Sequence, residues 1–372
     1  MNTTKQTNKK IESILLKLIR YKSVFDNPNE TRDCVNWVKV KLKNSGFKTK
    51  VYKSGGKLSL IAAPKLKKHY KLILSGHLDV VPGSDNLFTP KIIKGKMYGR
   101  GTSDMKGAIA VMVNSFTDHY KKYKEMDAAL VLTTDEEIGG FNGVNFLLDK
   151  NIINADCVFL PDTTRSYKLL EESKGVFHIK ITSKGVAAHG SVPWKGENAI
   201  LKLINAYHDL AKNLDTTKGG KVWGTSVNLG KIEGGKNTNS VPDFAQAFID
   251  VRYPSGVTEK DLTNKVDKIL KKHKVTWEKT VTGLPLKNNM KLKYFEYIKD
   301  VVKKYTGKLP EIIKENGASD GRFFSQRGVP VVMINPMTSP AHIEGEWIDL
   351  RELQTYYNIV TGFMNRVLSK DN

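Results

Sequence analysis

Apolar and polar positions along this chain repeat with two different periods, and the places where the period changes divide it. Near the N-terminus Ile11, Ile14, Leu15, Leu18 and Ile19 lie three or four residues apart, the spacing of one helical face, so an amphipathic helix is predicted there. Short apolar runs and helix-length segments then take turns: YKLILSGHLDVV (70–81), MKGAIAVMVNSFTDHYKKY (105–123), AALVLTTDEE (128–137), GVNFLLDK (143–150) and CVFLPD (157–162). That succession predicts an α/β fold, a mostly parallel sheet with helices on its faces. From Gly175 the pattern changes. GVFHIKITSKG alternates every second residue, and a helix (198–213), the strands SVNLGKIEGG and AQAFIDVRYP and a charged helix (258–273) follow it. A helix over 293–307, the buried-strand run VPVVMINP (329–336) and a final helix bring back the α/β succession. A compact α+β unit is therefore expected to be inserted within the α/β one.

The chain has 372 residues, beyond the roughly 250–300 at which single cores stop growing, which also favours two domains. A hydrophobic fraction of 40% and a charged fraction of 26% fit an ordinary soluble globular protein. No apolar run reaches the ~20 residues needed to span a membrane, and the N-terminal segment lacks the apolar core and cleavage site of a secretion signal. Cys34 and Cys157 are the only cysteines, far apart and in no metal-type spacing. Neither a disulfide framework nor a zinc knuckle is implied, and a reducing cytoplasm is the expected compartment. The net charge of +22 raises nucleic acid as a partner. Its lysines, however, are spread in short clusters such as KLKKHYK (65–71) and KKHK (271–274), without aromatic interleaving or a recognition-helix pattern. No nucleic-acid or membrane partner is expected.

In open α/β sheets, sites form at the carboxyl ends of the strands. The polar residues closing the apolar runs here are metal-ligand types: His77 and Asp79 in LSGHLDVVPG, Asp104 in GRGTSDMKG, Glu136 and Glu137 after ALVLTTD, Asp162 after VFLP, and His342 after VVMINPMTSPA. His77 and Asp79 stand two apart and so point to one face of a strand. Each residue alone has an ordinary explanation: Asp104 as a helix cap, Asp162 as a turn residue, the glutamates as a solvated strand end. Together they form a set. Clustered carboxylates repel and shift one another's pKa values, whereas divalent cations satisfy them, and two imidazoles with three carboxylates suit zinc.

The segments SGHLDVVP, GRGTSDMKGAIA, LTTDEEIGG, LPD, AAHGSVPWKGENAI, NTNSVPDFAQAFIDVRYP, NGASDGRFF and PAHIEGEWI resemble, in order, the motifs of the M20 metallopeptidase family, a group of desuccinylases, deacetylases, aminoacylases and di- and carboxypeptidases. The resemblance implies a di-zinc catalytic domain (1–173 and 286–372) and an inserted lid or dimerisation domain (174–285). It implies His77, Asp104, Glu137, Asp162 and His342 as metal ligands, with Asp104 bridging two ions, and Glu136 as the general base. Asp79 would accept the other ring N–H of His77, fixing its tautomer. His189 would stabilise the oxyanion and could come from a partner subunit of a homodimer. Arg252 would bind a substrate carboxylate through its planar fork, and Asn239, Ser319 and Arg322 would lie on the substrate side. The implied cofactors are two divalent ions, zinc first, with cobalt or manganese as substitutes; the implied reaction is hydrolysis of an N-acylated amino acid or a short peptide.

Several positions depart from the desuccinylase pattern. Ser173 and Lys174 replace an arginine pair, Ala318 replaces a threonine, Val192 replaces a tyrosine, and Asn335 stands where glycine is common. The first three changes remove groups that could hold the far carboxylate of a succinyl arm, so the acyl group stays open.

Overall fold

The structure is a computed structural model that describes residues 2–162 and 166–369. It contains two compact units, one formed by Met1–Glu171, Asn288–Glu315 and Ser319–Asn372, the other by Glu172–Lys287 and Asn316–Ala318. In chain order the main elements are α1 (Asn2–Ile19), α2 (Pro28–Asn44), β1 (Lys48–Ser54), β2 (Lys57–Ala63), β3 (His69–His77), α3 (Lys106–Tyr123), β4 (Ala128–Thr133) and β5 (Asn154–Phe159). The second unit contributes β6 (Gly175–Lys184), α4 (Ala199–Leu214), β7 (Ser226–Gly234), β8 (Phe244–Tyr253), α5 (Glu259–Lys272) and β9 (Thr276–Gly283). The chain returns with α6 (Lys293–Thr306), β10 (Val331–Val332) and α7 (Leu353–Leu368). No described helix is long and apolar enough to cross a membrane.

The main sheet of the first unit has the order β1-β2-β4-β3-β5-β10. β4, β3, β5 and β10 are mutually parallel, with His77 opposite Thr133 and Leu74 opposite Phe159, while β1 and β2 run antiparallel at the edge. The parallel strands are nearly continuous apolar runs because helices cover both faces. Their side chains pack with Leu15 and Leu18 of α1, Ile109 and Phe116 of α3 and Phe363 of α7 in one core. Some β-elements depart from the predicted pattern. The hairpin β1–β2 and the strand β9 were not foreseen, and VPVVMINP yields only the two-residue β10. β1 and β9 bury none of their residues fully, so no apolar alternation marks them.

In the second unit four antiparallel strands run in the order β7-β8-β6-β9. β6 and β8 alternate buried and half-buried residues along their length, as strands with one covered face do. Phe177, Ile179 and Ile181 of β6 and Ile249 and Val251 of β8 pack with Leu203, Leu210, Leu262 and Val266 of α4 and α5. α5 opens on a capping box in which Thr258 and Asp261 satisfy each other's backbone N–H.

Candidate active site

Each parallel strand of the first unit delivers polar side chains at its carboxyl end. His77 is the last residue of β3, Asp135, Glu136 and Glu137 follow β4, Asp162 follows β5, and Asp104 precedes α3. His77 Nε2 lies 3.0 Å from Asp104 Oδ1. On the other side of the same carboxylate, His342 Nε2 is 3.3 Å from Asp104 Oδ2 and 3.2 Å from Glu137 Oε2. Two triads of ligand atoms result, His77–Asp104–Asp162 and Asp104–Glu137–His342, in each of which the atoms lie within 4.8 Å of one another. Asp104 is common to both.

His342 reaches this position from a loop in which its own φ is +65°. A non-glycine residue in the left-handed region is strained by about 1–3 kcal/mol and persists where surrounding contacts over-determine it. Gly140, just beyond the glutamates, also has a positive φ of +66°, and a Cβ there would stand 1.8 Å from Asp320 Oδ1. Only glycine lets that turn close against the buried Asp320 carboxylate.

The electrostatics of the cluster are those of acids and imidazoles pressed together. Burial pushes the His77 pKa down, but hydrogen bonds to Asp104 and Asp79 outweigh it and raise the value well above the ordinary range. Hydrogen bonds to Asp104 and Glu137 raise His342 to about 10. Burial pushes Asp162 well up, and the charge of Asp104 adds to it; Glu136 is likewise raised, by burial first and then by the charge of Asp162. Among the described residues, Asp162 Oδ2 and Glu137 Oε1 are buried without a hydrogen-bond partner. Orphaned carboxylate oxygens facing imidazole nitrogens are costly unless a cation joins them. The donor set, imidazole nitrogen and carboxylate oxygen in two triads, fits divalent cations of the zinc type.

Asp79 behaves differently from expectation. The nearer acceptor for His77 Nδ1 is the Asp79 backbone carbonyl, at 3.0 Å, while the carboxylate Oδ1 stands at 3.6 Å. With both acceptors on that side, Nδ1 is held as a donor, and Nε2, which donates to Asp104 in the charged ring, is the nitrogen free to lose its proton to a cation. The Asp79 carboxylate instead accepts the Glu137 backbone N–H through Oδ2 at 3.1 Å. It therefore ties the β3 end to the turn carrying the two glutamates.

Ser319 lies just before, and Arg322 within, the short helix Gly321–Ser325 of the first unit. Both are buried, and the Arg322 guanidinium donates to the backbone carbonyls of Ser319 at 2.8 Å and Gly139 at 2.7 Å and lies 4.3 Å from the Phe323 ring centroid. Both terminal nitrogens thus serve the first unit, where they hold the glycine turn after Glu136 and Glu137, while Nε is buried with no described partner. Nothing in the local sequence distinguishes an arginine that binds backbone from one that binds substrate.

In the second unit the structure brings His189 and Asn239 together. Gly190 N–H donates to the Asn239 carbonyl at 2.7 Å, and His189 bridges Ser240 across the same loops. His189 Nδ1 accepts the Ser191 backbone N–H at 3.2 Å and lies 2.8 Å from Ser191 Oγ. That leaves the neutral ring's proton on Nε2, so exposed His189 presents a donor outward. Arg252, on β8, gives its Nε to Asp250 Oδ1 at 2.7 Å, and His178 Nε2 lies 3.0 Å from the same oxygen. Burial alone would raise Asp250, but these two partners hold its pKa at about 2.

A family model described as peptidase family M20/M25/M40 matches the sequence over residues 73–366. The chain belongs to this family. Among curated relatives, it is 28% identical over 315 residues to a succinyl-diaminopimelate desuccinylase of Pseudoalteromonas atlantica, covering 79% of this chain and 83% of that protein. Among solved structures, a tripeptidase of Staphylococcus aureus superposes with a TM-score of 0.79 at 21% identity, covering 97% and 98% of the two chains. A metallo-carboxypeptidase of the M20 family from Sulfolobus solfataricus gives 0.78 at 17%, covering 96% and 99%. At such identities these likenesses speak for the fold. Membership of the M20 family makes the chain a metal-dependent hydrolase of amide or peptide bonds.

Proposed function

We propose that the chain removes the acyl group from an N-acylated amino acid, or cleaves a short peptide, in a substrate that carries a free carboxylate. The observation that carries this reading is the pair of ligand triads joined by Asp104, with Glu136 adjacent in sequence to the ligand Glu137. In it, His77, Asp104 and Asp162 hold one divalent ion and Asp104, Glu137 and His342 the other. When bound, such ions polarise the scissile carbonyl and lower the pKa of the attacking water. Glu136 takes the water's proton on its carboxylate and returns it to the leaving amine. Neighbouring Glu136 and Glu137 cannot both present their carboxylates the same way on one turn, which supports a division between base and ligand. His189 donates its Nε2–H to the developing oxyanion. Arg252 uses the terminal nitrogens that Asp250 leaves unoccupied to grip the substrate carboxylate in two places, with Asn239 beside it on the substrate side.

Zinc is the ion we assign first, on the mixed nitrogen and oxygen donors, with cobalt or manganese able to replace it. Buried, unpaired Cys34 and Cys157 support a reducing cytoplasm. Exposed Val186, Trp194, Leu201 and Phe244 support self-association through the second unit.

The deciding experiment is a release assay over N-acetyl, N-succinyl and N-formyl amino acids and unblocked di- and tripeptides, before and after chelation. Turnover of one class should vanish in metal-free protein and return with zinc, cobalt or manganese. Full turnover without metal would overturn the reading. Turnover of peptides alone would replace deacylation by peptidase action at the same residues.

A further inference from the structure

One buried ion pair beneath the proposed ligands belongs to none of the roles above. Arg100 and Glu346 are 4% and 1% exposed and lie 2.8 Å apart, Nη1 to Oε2. They connect three segments that each carry proposed ligands. Glu346 Oε1 accepts the backbone N–H of Ser103 at 2.8 Å and of Asp104 at 3.0 Å. Arg100 Nη1 also donates to the Ile343 carbonyl, at 3.2 Å, beside His342 in sequence. Its Nη2 donates to the Pro82 carbonyl at 3.4 Å, five residues past His77. A parallel link runs through serines, with Ser103 Oγ donating to the Ser339 carbonyl at 2.8 Å and Trp347 N–H to Ser339 Oγ at 3.0 Å.

We propose that Arg100 and Glu346 form a clasp that registers the loops carrying His77, Asp104 and His342, and that this clasp sets the affinity of the site for its metal ions. The inference rests on the ligand assignment proposed above. Both Glu346 oxygens are engaged by donors, so the carboxylate is a positioning group and not a sixth ligand. Its place between two consecutive N–H groups fixes the peptide that carries Asp104, the one ligand common to both triads. The charges cancel within the pair, so it adds no anion to an already acidic centre. Groups that orient metal ligands from behind typically change affinity 10–100-fold when removed.

The test separates positioning from mere folding. In Glu346→Gln the new NH2 group must face either the Arg100 guanidinium or the two backbone N–H groups, and Arg100→Met leaves the Glu346 charge buried without its partner. Each should lower the melting temperature of metal-free protein and weaken zinc binding, read by competition with a chelating dye, at least tenfold. Arg100→Lys keeps a charge but not the fork that reaches Ile343 and Pro82, and should fall between. The double variant Arg100→Met/Glu346→Leu removes the orphaned charge, so its metal-free melting temperature should recover towards that of the parent, while zinc affinity stays at least tenfold weaker. Recovery of affinity in step with melting temperature would overturn the proposal, as would unchanged affinity in all four variants. His77→Ala, measured alongside, should lose one equivalent of zinc. If it does not, the ligand assignment itself fails, and the clasp with it.

Discussion

The strand-end loops of the first unit and the exposed loops of the second use the same residue types under opposite conditions. His77, Asp79 and Asp162 are between 1% and 3% exposed, and His77 and Asp79 hydrogen-bond to groups from neighbouring elements. His189 and Asn239 are exposed, and His189 hydrogen-bonds to a serine two residues away. Burial among fixed partners suits side chains that must meet an ion within tenths of an ångström. Exposure with local hydrogen bonds suits side chains that meet a ligand arriving from water. His342, although it faces Asp104 and Glu137 in the first unit, is itself 52% exposed, so the contrast holds for His77, Asp79 and Asp162 against His189 and Asn239, and substitutions in the two sets should fail in different ways.

The sharpest way to break that contrast is inside the rigid set. Glu136→Gln is nearly isosteric but cannot accept a proton, so kcat should fall by about 10²–10⁴-fold with metal content unchanged. Glu137→Gln should instead weaken metal binding, because Glu137 Oε2 is a member of the second triad. Metal analysis beside steady-state kinetics separates the two, and the reverse pattern would exchange their roles.

The second unit should respond through substrate, not metal. His189→Ala should lower kcat by about 10²–10³-fold, the usual cost of one oxyanion donor, while zinc stoichiometry stays at the parent value. Arg252→Lys keeps the charge but loses the two-point grip, so KM should rise by about tenfold with kcat little changed. A substrate whose carboxylate is replaced by an amide should lose more with the parent enzyme than with the variant, which retains only the charge. An equal loss in both proteins would remove Arg252 from substrate binding. If the chain is a homodimer and His189 acts across it, mixing His189→Ala with Glu136→Gln chains should restore activity after subunit exchange.

How far these regions could be read from sequence follows the same division. The strand-end cluster was legible because the apolar runs stop abruptly on a histidine or carboxylate, and a parallel sheet brings such ends together whatever the loops do. β1 and β9 were not legible: KTKVYKS and TWEKTVTG contain no fully buried residue, so hydrophobic period carries no signal there. Arg100 and Glu346 stand inside recognisable segments, GRGTSDMKG and PAHIEGEWI, but their pairing spans 246 residues and leaves no local pattern. Which Asp79 oxygen stands nearer His77 was not legible, since a carbonyl and a carboxylate of one residue compete for the same ring N–H within a few tenths of an ångström. Ser319 and Arg322 show the limit most plainly. Whether an arginine faces substrate or backbone is settled by packing, which no motif records.

The smallest effect we predict lies away from the site, in the helical layer of the first unit, and contrasts a neutral buried histidine with the charged ones above. His119 on α3 is 5% exposed, packs 4.6 Å from the Tyr123 ring and has no described partner for Nδ1. Burial, helped by the charge of Lys122 and opposed by a hydrogen bond with Asn365, lowers its pKa from 6.5 to about 4. The folded state therefore keeps this ring neutral where the unfolded chain protonates it, so the unfolded state binds more protons. Stability from this residue is fully present above pH 6.5, falls as the pH drops through the unfolded value, and levels off below about 4. Denaturant unfolding of metal-free protein between pH 7 and 4 should show that loss, and His119→Phe, which keeps an apolar ring against Tyr123, should remove His119's part of the slope. Metal-free protein is needed because proton uptake at His77 and His342 would otherwise be masked by bound ions. In that form these two histidines, whose folded pKa values are raised, act with the opposite sign: their stabilisation is complete below pH 6.5 and is lost as pH rises, so the His119→Phe difference separates His119 from them. An identical slope in parent and variant would mean that His119 is protonated without cost.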